Sequence, residues 1–464
     1  MRENLGNRNT RLKFGEWLMT YLENNSIHGL KYVLEPRRHW TERAFWTIIC
    51  CLSIYGTINF VLASWIVYQT DAISFVVDTR FLNWNTSYPS VTLCELRNEE
   101  KIIKASIELF GQKRALDTDA FLEEIIYFSP LMCSTCSQTC GSKINCSINF
   151  QEIMTRVRAT CTQLIGYCAW NEKQFDCCDH FATLETEVGT CYTINSLHSS
   201  TSKPPLQMIS NRHTGPGKLE LHLLENTQVY LHGADEVPFI NHPLEEQFTV
   251  ELGQTVTAIF LIREIVNDPF LESVSVEQRA CRWASSENFL STHVLYSYST
   301  CIVDCRARAQ MEICSCVSQF MPRMGGFPAC DLNGLICLQE NKENFNNLRL
   351  NTSNAKGLAC NCMASCDEPE INIVETLYEG EVPTFKDRDI DRDWSNGTGI
   401  NSKITIKMES LPMEQYIRKL VRSPLELIVS IGGIIGLFLG LSMIDVIELI
   451  HFICIKGNPY ITCR

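Results

Sequence analysis

Leu427-Ile428-Val429-Ser430-Ile431-Gly432-Gly433-Ile434-Ile435-Gly436-Leu437-Phe438-Leu439-Gly440-Leu441-Ser442-Met443-Ile444-Asp445-Val446-Ile447-Glu448 is the stretch on which the reading of this chain turns. It is uncharged as far as Ile444 and then carries two acids, where a plain membrane helix would pass into polar loop. Gly432, Gly436 and Gly440 recur every four residues, a small-residue ladder that lets helices approach closely. By itself such a ladder favours ordinary helix dimerisation. Gly440-Leu441-Ser442 adds what a packing helix does not need. It is expected to break or loosen the helix and present backbone carbonyls and a hydroxyl, groups that replace part of a small ion's hydration shell. Asp445 and Glu448, at i and i+3, share one face just beyond that point. An unpaired acid at a helix centre costs about 3 kcal/mol in lipid, so both are expected to face an aqueous path. In an oligomer they become carboxylate rings that favour cations. The stretch reads as the ion-lining helix of a channel subunit, with residues 425–453 as its membrane span.

Toward the N-terminus, Phe45–Tyr68 is a second uncharged run. At about 1.5 Å per residue it can cross a hydrocarbon core of about 30 Å, and it is too long for a signal-peptide core, so it is expected to remain as a signal anchor. Residues 69–424 lie between the two spans. Of the 24 cysteines, all but Cys50, Cys51, Cys454 and Cys463 fall there, with glycosylation sequons at Asn85, Asn145, Asn351 and Asn396. Both features call for an oxidising, extracellular setting. Arg2, Arg8, Arg11, Lys13, Lys31, Arg37, Arg38 and Arg43 put residues 1–44 in the cytosol, although Arg418, Lys419 and Arg422 run against that rule. Residues 454–464 are then a cytosolic tail. Cys50 and Cys51 are expected to pack in the first span, and Cys454 and Cys463 are candidates for palmitoylation. The fold class that follows is an α+β membrane protein, two transmembrane helices carrying one large disulfide-rich extracellular domain. The net charge of −13 belongs mostly to that domain. An acidic surface concentrates cations and disfavours nucleic acid, although many extracellular domains are acidic without such a role.

Within the long segment, Thr70–Phe81 and Gln247–Ile262 carry the alternating, β-branched pattern of strands. Ile404, Ile406 and Met408 alternate with Thr405 and Lys407, predicting a strand that leads directly into the second span. Leu290–Cys316 reads as a helix, Ser196–Lys218 and Asn341–Gly357 as loops, and the Asp–Arg alternation of Asp387–Asp393 as a solvated face. Cys301 and Cys305 stand on one helical face, and Cys360, Cys362 and Cys366 return in reverse order. Nested pairing (Cys281–Cys366, Cys301–Cys362, Cys305–Cys360, Cys314–Cys337, Cys316–Cys330) would lock two antiparallel segments into a stiff lever. Each bridge would contribute about 2–4 kcal/mol. Spacing alone leaves other connectivities open. Cys133, Cys136 and Cys140 have metal-site spacing, but the oxidising compartment and the lack of a nearby histidine favour disulfides. No metal or other cofactor is expected.

Several short motifs then coincide in order. Ile27-His28-Gly29 precedes the first span, Tyr88-Pro89-Ser90-Val91-Thr92-Leu93-Cys94 follows it, and Tyr296-Ser297 precedes the cysteine series from Cys301 to Cys316. With Cys360-x-Cys362-x3-Cys366 and the segment from Gly432-Gly433 to Gly440-Leu441-Ser442, they resemble the degenerin/epithelial sodium channel family, which includes the acid-sensing ion channels. The Cys133–Cys146 cluster and Ile27–Tyr32 look most like its arthropod pickpocket branch. The resemblance covers nearly the whole chain. It implies a homo- or heterotrimer of two-span subunits in the plasma membrane, sodium-preferring, voltage-independent and blocked by amiloride. Gating would come through the extracellular domain by a ligand or matrix contact, protons or force. It implies a β-sheet palm and a helical thumb, with Gly440, Leu441 and Ser442 as the filter. His28 and Gly29 would act as a cytosolic gating motif, and Gly432, Gly433 and Gly436 as pore-helix packing. Cys94–Cys191 and Cys161–Cys168 are further bridges that it implies. The pairing of Cys133, Cys136, Cys140, Cys146, Cys177 and Cys178 stays open.

Two other readings compete with this one. An ATP-gated two-span channel would need a cluster of basic residues for phosphate, and none stands out. A non-conducting two-span scavenger-type receptor would need neither a helix break nor the acids after it. No nucleophile or metal motif rises above chance, so an enzyme is not expected. His180, His198, His213, His222, His232, His242 and His293 are scattered through the extracellular segment. Any could titrate near neutral pH, and surface placement is expected for them. The chain also departs from the family pattern. Val429 is bulky where the outer gate usually has a small residue, and His451 stands where an acid is common. Met363-Ala364-Ser365 lacks a usual proline, and the residues after Ile450 contain no Pro-Pro-x-Tyr. Asp445 replaces a usual Ser or Thr, adding three acids per trimer, and clustered carboxylates bind hard cations. Block by calcium and magnesium should therefore weaken in Asp445→Asn, measured as the divalent concentration that halves the sodium current. Unchanged block would remove the carboxylate from that role.

Overall fold

The computed structural model of the chain describes residues 29–451 except 36–37, 80–83, 112–113, 129–132, 136–148, 200–203, 285–288, 323–325, 351, 368 and 381–400. His28, Cys136, Cys140, Cys146, Asn145, Asn351, Asn396, Asp387–Asp393, Cys454 and Cys463 lie outside the described residues. The rest divides into two compact units. One comprises residues 29–74, 268–279 and 419–451, and the other residues 75–267 and 280–418, so the chain passes between them four times.

In the first unit the N-terminal apolar run forms a helix longer than its uncharged stretch, Trp40–Thr70, of 31 residues. Among the described residues it is the one helix long and apolar enough to cross a membrane. Ile48, Leu52, Ile58, Leu62 and Ile66 are all exposed on it. The C-terminal apolar run is not one helix. Pro424–Leu439 and Met443–His451, of 16 and 9 residues, are separated by residues 440–442. The longer piece spans about 24 Å, short of a hydrocarbon core of about 30 Å. Phe438 lies against the first helix, its ring 3.0 Å from where a Gly56 Cβ would stand and stacked on Phe60 at 5.5 Å. Above them, Val421 N–H donates to Ala72 carbonyl at 2.9 Å. Gln278, in the short helix Val276–Arg279, donates to Tyr68 carbonyl at 3.3 Å.

The second unit is built on two sheets. The larger runs Ile73–Asp78, Gln415–Leu420, Thr255–Asn267, Ser402–Met408, Lys218–Leu223, Ile165–Trp170, Lys173–Gln174, with Glu370–Glu379 also on Thr255–Asn267. Alternation decides its inner face. Ile404, Ile406 and Met408 point inward beside Leu219, Leu221 and Leu223, and Val256, Ala258 and Phe260 complete the layer. The smaller sheet runs Gln247–Val250, Thr227–His232, Ser90–Glu95, Gly189–Ile194, Ala182–Thr186. Ser90–Glu95 is buried along its whole length, as its central position requires. Tyr88, just before it, donates its hydroxyl to Ile406 carbonyl at 2.9 Å between the rings of Trp170 and Phe260.

Several boundaries differ from the sequence reading. Gln247–Ile262 is two strands, because Gly253, at φ +86°, turns the chain between Val250 and Thr255. Thr70 still belongs to the first helix, and the strand after it is Ile73–Asp78. Ser402–Met408 does not lead directly into the C-terminal helix. Gln415–Leu420 intervenes, and both lie parallel to successive halves of Thr255–Asn267. The helix read over Leu290–Cys316 starts only at Tyr298. Before it, Ser291 and Thr292 N–H donate to Asp304 Oδ1 at 2.7 and 3.0 Å, holding that segment against the helix side. Ser196–Lys218 contains the short strand Ile209–Ser210, and Asn341–Gly357 the helical turn Lys342–Asn346.

Disulfides brace this unit. Cys301–Cys362, Cys305–Cys360, Cys281–Cys366, Cys314–Cys337 and Cys316–Cys330 run in nested order along Tyr298–Cys314 and its neighbours, and Cys94–Cys191 joins adjacent strands. Cys161 does not pair with Cys168. The bridges are Cys161–Cys178 and Cys168–Cys177. From Ile165 the strand carries Cys168 away from Cys161 at about 3.3 Å per residue. Asn171 and Glu172, both left-handed, then reverse the chain so that Cys177 returns over Cys168 and Cys178 over Cys161. Cys133 is also disulfide-bonded, while Cys50 and Cys51 form no disulfide.

Among the described residues one ion pair is wholly buried. The Arg306 guanidinium, on Tyr298–Cys314, meets the Glu187 carboxylate, in the turn between Ala182–Thr186 and Gly189–Ile194. Arg306 also donates to Phe345 carbonyl at 2.9 Å and Asn241 Oδ1 at 2.5 Å, and Glu187 accepts Ile240 N–H at 2.5 Å. Removing one partner leaves an uncompensated buried charge, worth about 3–5 kcal/mol. Arg306→Met and Glu187→Gln should each lower the thermal midpoint sharply, and together less than the sum of the two. Additive losses in such a cycle would mean the two side chains act independently.

Candidate functional site

The break in the C-terminal helix pair is built from local chemistry. Ser423 opens the longer helix with a reciprocal cap, its N–H donating to Glu426 Oε2 at 3.1 Å and Glu426 N–H to Ser423 Oγ at 3.2 Å. Gly440 ends it in the left-handed region, φ 70° and ψ 15°, where only glycine is unstrained, and its N–H still reaches Gly436 carbonyl at 2.9 Å. Leu441 carbonyl folds back to within 3.6 Å of where a Gly436 Cβ would lie. Ser442 then starts the shorter helix, with Asp445 one turn on and Glu448 exposed beyond it. Gly440, Leu441, Ser442, Asp445 and Glu448 thus fall within one break and the turns that follow it. Val429 is 66% exposed on the longer helix, and open space surrounds Gly432 and Gly433 among the described residues. Among the described residues that apolar, glycine-notched side is bare.

The motif before the first helix has a packing reason. Gly29 has φ +86°, and a Cβ there would meet Cys50 Sγ at 3.1 Å and the Trp46 ring at 3.2 Å. The short helix Leu30–Leu34 therefore lies on Trp40–Thr70, with Tyr32 against Trp46 at 4.7 Å and Arg43 Nε donating to Val33 carbonyl at 2.9 Å. Gly56, Phe60 and Phe438, which join the first helix to the C-terminal one, escaped the sequence reading. A lone glycine in an apolar run carries no sign of what it faces.

In the second unit the histidines are not uniformly at the surface. His232, His242 and His293 are buried, and His198 packs edge-on against His293 at 5.4 Å. His232 and His242 lie 6.4 Å apart. His232 Nε2 is 2.7 Å from Thr92 Oγ1, and its Nδ1 is 2.8 Å from Gly233 carbonyl. Burial pushes His232 and His293 down to about 3 and His242 to about 4, with neighbouring imidazoles adding to it for His232 and His293. Acids cluster as well. Glu95 and Glu225, both buried, share Lys101 Nζ at 2.6 and 3.0 Å, and burial raises the Glu225 carboxyl above its ordinary value. Neither grouping left a mark in the sequence, since its members come from distant strands and loops. Asn85, one of the sequon asparagines, is exposed.

Residues 21–452 match the family described as Amiloride-sensitive sodium channel. Pickpocket protein 28 of Drosophila melanogaster is 23% identical over 96% of this chain and 79% of its own length. Sodium channel protein Nach of Drosophila ananassae is 20% identical over 96% and 88%, and acid-sensing ion channel 2 of Rattus norvegicus 22% over 94% and 86%.

The buried histidines set a pH dependence with a definite sign. Their pKa values are lower folded than the unfolded value of about 6.5, so the folded state resists their protonation. The stability they support is fully present above about pH 6.5 and is lost progressively as pH falls toward 3 to 4. The thermal midpoint of the purified protein should fall across that window, and His232→Asn should flatten the fall. A midpoint independent of pH, or an unaltered slope in the variant, would contradict this.

Proposed function

The chain belongs to the amiloride-sensitive sodium channel family, a family of plasma-membrane ion channels rather than enzymes, and from that premise we propose that it is one subunit of a trimeric, voltage-independent, amiloride-blocked channel that prefers sodium. Both Trp40–Thr70 and the C-terminal helix pair cross the membrane in this reading, with residues 1–44 and 454–464 in the cytosol. Three copies of Gly440-Leu441-Ser442 form the filter, and rings of Asp445 and Glu448 lie beyond it. The observation that carries the proposal is the interruption at residues 440–442 between two apolar helices. Backbone freed from a helix inside a membrane is tolerated only where protein or water satisfies it. Three such breaks facing one another supply each other's surroundings, and their carbonyls and hydroxyls stand in for ion hydration.

The bare side around Gly432 and Gly433 supports assembly, because notched helices pack where backbones come close. Stimuli reach the helices through the four chain crossings between units. Two of these flank residues 268–279, which contain Gln278, and one precedes Val421. An extracellular ligand, matrix contact, protons or force acting on the braced unit would be transmitted along them. For protons, Glu225 beside Lys101 suits the task better than the buried histidines, because burial raises its carboxyl above the ordinary value while it pushes the histidines down.

The test is whole-cell current from Val429→Cys subunits before and after a cationic thiol reagent, with surface expression confirmed. A bulky charge at that exposed position should hold the pore open without the natural stimulus. A sodium-selective, amiloride-blocked current is expected. Silence, both alone and with co-expressed pickpocket relatives, would overturn the channel reading in favour of a non-conducting receptor.

A further inference from the structure

Asp445 grips Ser442 from two directions. Its Oδ2 accepts the Ser442 backbone N–H at 2.5 Å and the Ser442 hydroxyl at 2.7 Å, while its own N–H donates to Ser442 Oγ at 3.3 Å. This is a reciprocal N-terminal cap on Met443–His451, with the carboxylate at the positive end of the helix dipole.

The consequences fall on the residues before it. A pinned Ser442 N–H fixes the plane of the Leu441–Ser442 peptide, and a planar peptide fixes where Leu441 carbonyl points. The Ser442 hydroxyl donates a hydrogen bond to the carboxylate and accepts one from Asp445 N–H. What remains on that oxygen is a lone pair, so it meets a cation as a ligand and not as a donor.

We propose that Asp445 is a positioning residue for the filter: by capping Ser442 it aims the Leu441 carbonyl and the Ser442 oxygen, and so sets the discrimination between sodium and potassium. The proposal rests on the reading of residues 440–442 as the filter. It separates two properties of one side chain. The negative charge acts on divalent ions, and the cap acts on selectivity among monovalent ones.

The same chain holds a control for this separation. At the start of Tyr298–Cys314, Ser297 N–H donates to Thr300 Oγ1 at 2.7 Å and Thr300 N–H to Ser297 Oγ at 3.2 Å. An uncharged threonine three residues on therefore completes the reciprocal cap with a serine. Asp445→Thr should keep the cap and lose the charge, whereas Asp445→Ala loses both.

The experiment uses full-length subunits carrying Val429→Cys, opened with the cationic thiol reagent, and reads the sodium-to-potassium permeability ratio from reversal potentials. In Asp445→Ala the ratio should fall at least about fivefold, the scale on which a lost helix cap acts. In Asp445→Thr it should stay within about twofold of the parent, while divalent block weakens in both. Equal loss of selectivity in the two variants would make the charge the agent and overturn the proposal. Retained selectivity in Asp445→Ala would also overturn it. A silent parent channel counts against the channel reading alone. The cap is then read by hydrogen exchange of residues 440–448 in the purified protein. Exchange faster by at least about fivefold in Asp445→Ala and restored in Asp445→Thr supports it, and equal exchange in all three overturns it.

Discussion

The buried contact between Arg306 and Glu187 is the fixed point of the second unit. A guanidinium and a carboxylate shut away from water are tolerable only if each is fully matched by hydrogen bonds. That condition draws four parts of the chain to one place: the turn at Glu187, the segment of Ile240 and Asn241, the helix of Arg306, and Phe345. Once they meet, the direction of Tyr298–Cys314 is settled. With it goes the course of the returning segment that carries Cys360, Cys362 and Cys366.

The disulfides then convert that arrangement into a stiff body. Cys301 and Cys305 are one helical turn apart, and their partners are two residues apart on the returning segment. Two bridges so close together hold that segment in a fixed register along the helix. Tyr296 adds a third tie, its hydroxyl donating to Met363 carbonyl at 2.7 Å and accepting Met363 N–H at 2.9 Å. A body braced in this way can pass on a displacement that a flexible one would absorb.

The C-terminal helix pair follows the opposite logic. Glycine and a capped serine let the chain leave helical geometry for three residues and resume it at once. Gly440 accepts the left-handed turn, and Ser442 with Asp445 restarts the helix. The break is thus bounded on both sides by hydrogen bonds made within a few residues, and it needs no support from the larger unit to keep its shape. The disposition of Leu441 and Ser442 is a local property, and that is why a single cap can govern it.

The same distinction separates what was legible in the sequence from what was not. The apolar run of Phe45–Tyr68, the interruption at Gly440–Ser442, the inward alternation of Ile404, Ile406 and Met408, and the nested order of Cys301, Cys305, Cys360 and Cys362 are patterns along the chain. Each follows from helix or strand periodicity, which adjacent residues set by themselves. The sequence alone therefore determined these features and the family. The pairing of Cys161 with Cys178 depended on the reversal at Asn171 and Glu172, and the interposed strand Gln415–Leu420 on an open stretch of Thr255–Asn267. The burial of His232 and the shared Lys101 of Glu95 and Glu225 depended on strands that meet only in the folded unit. Tertiary structure decided these, because burial and pairing depend on which distant residues come within a few ångströms, and that distance is set by the packed sheets rather than by any neighbour in sequence.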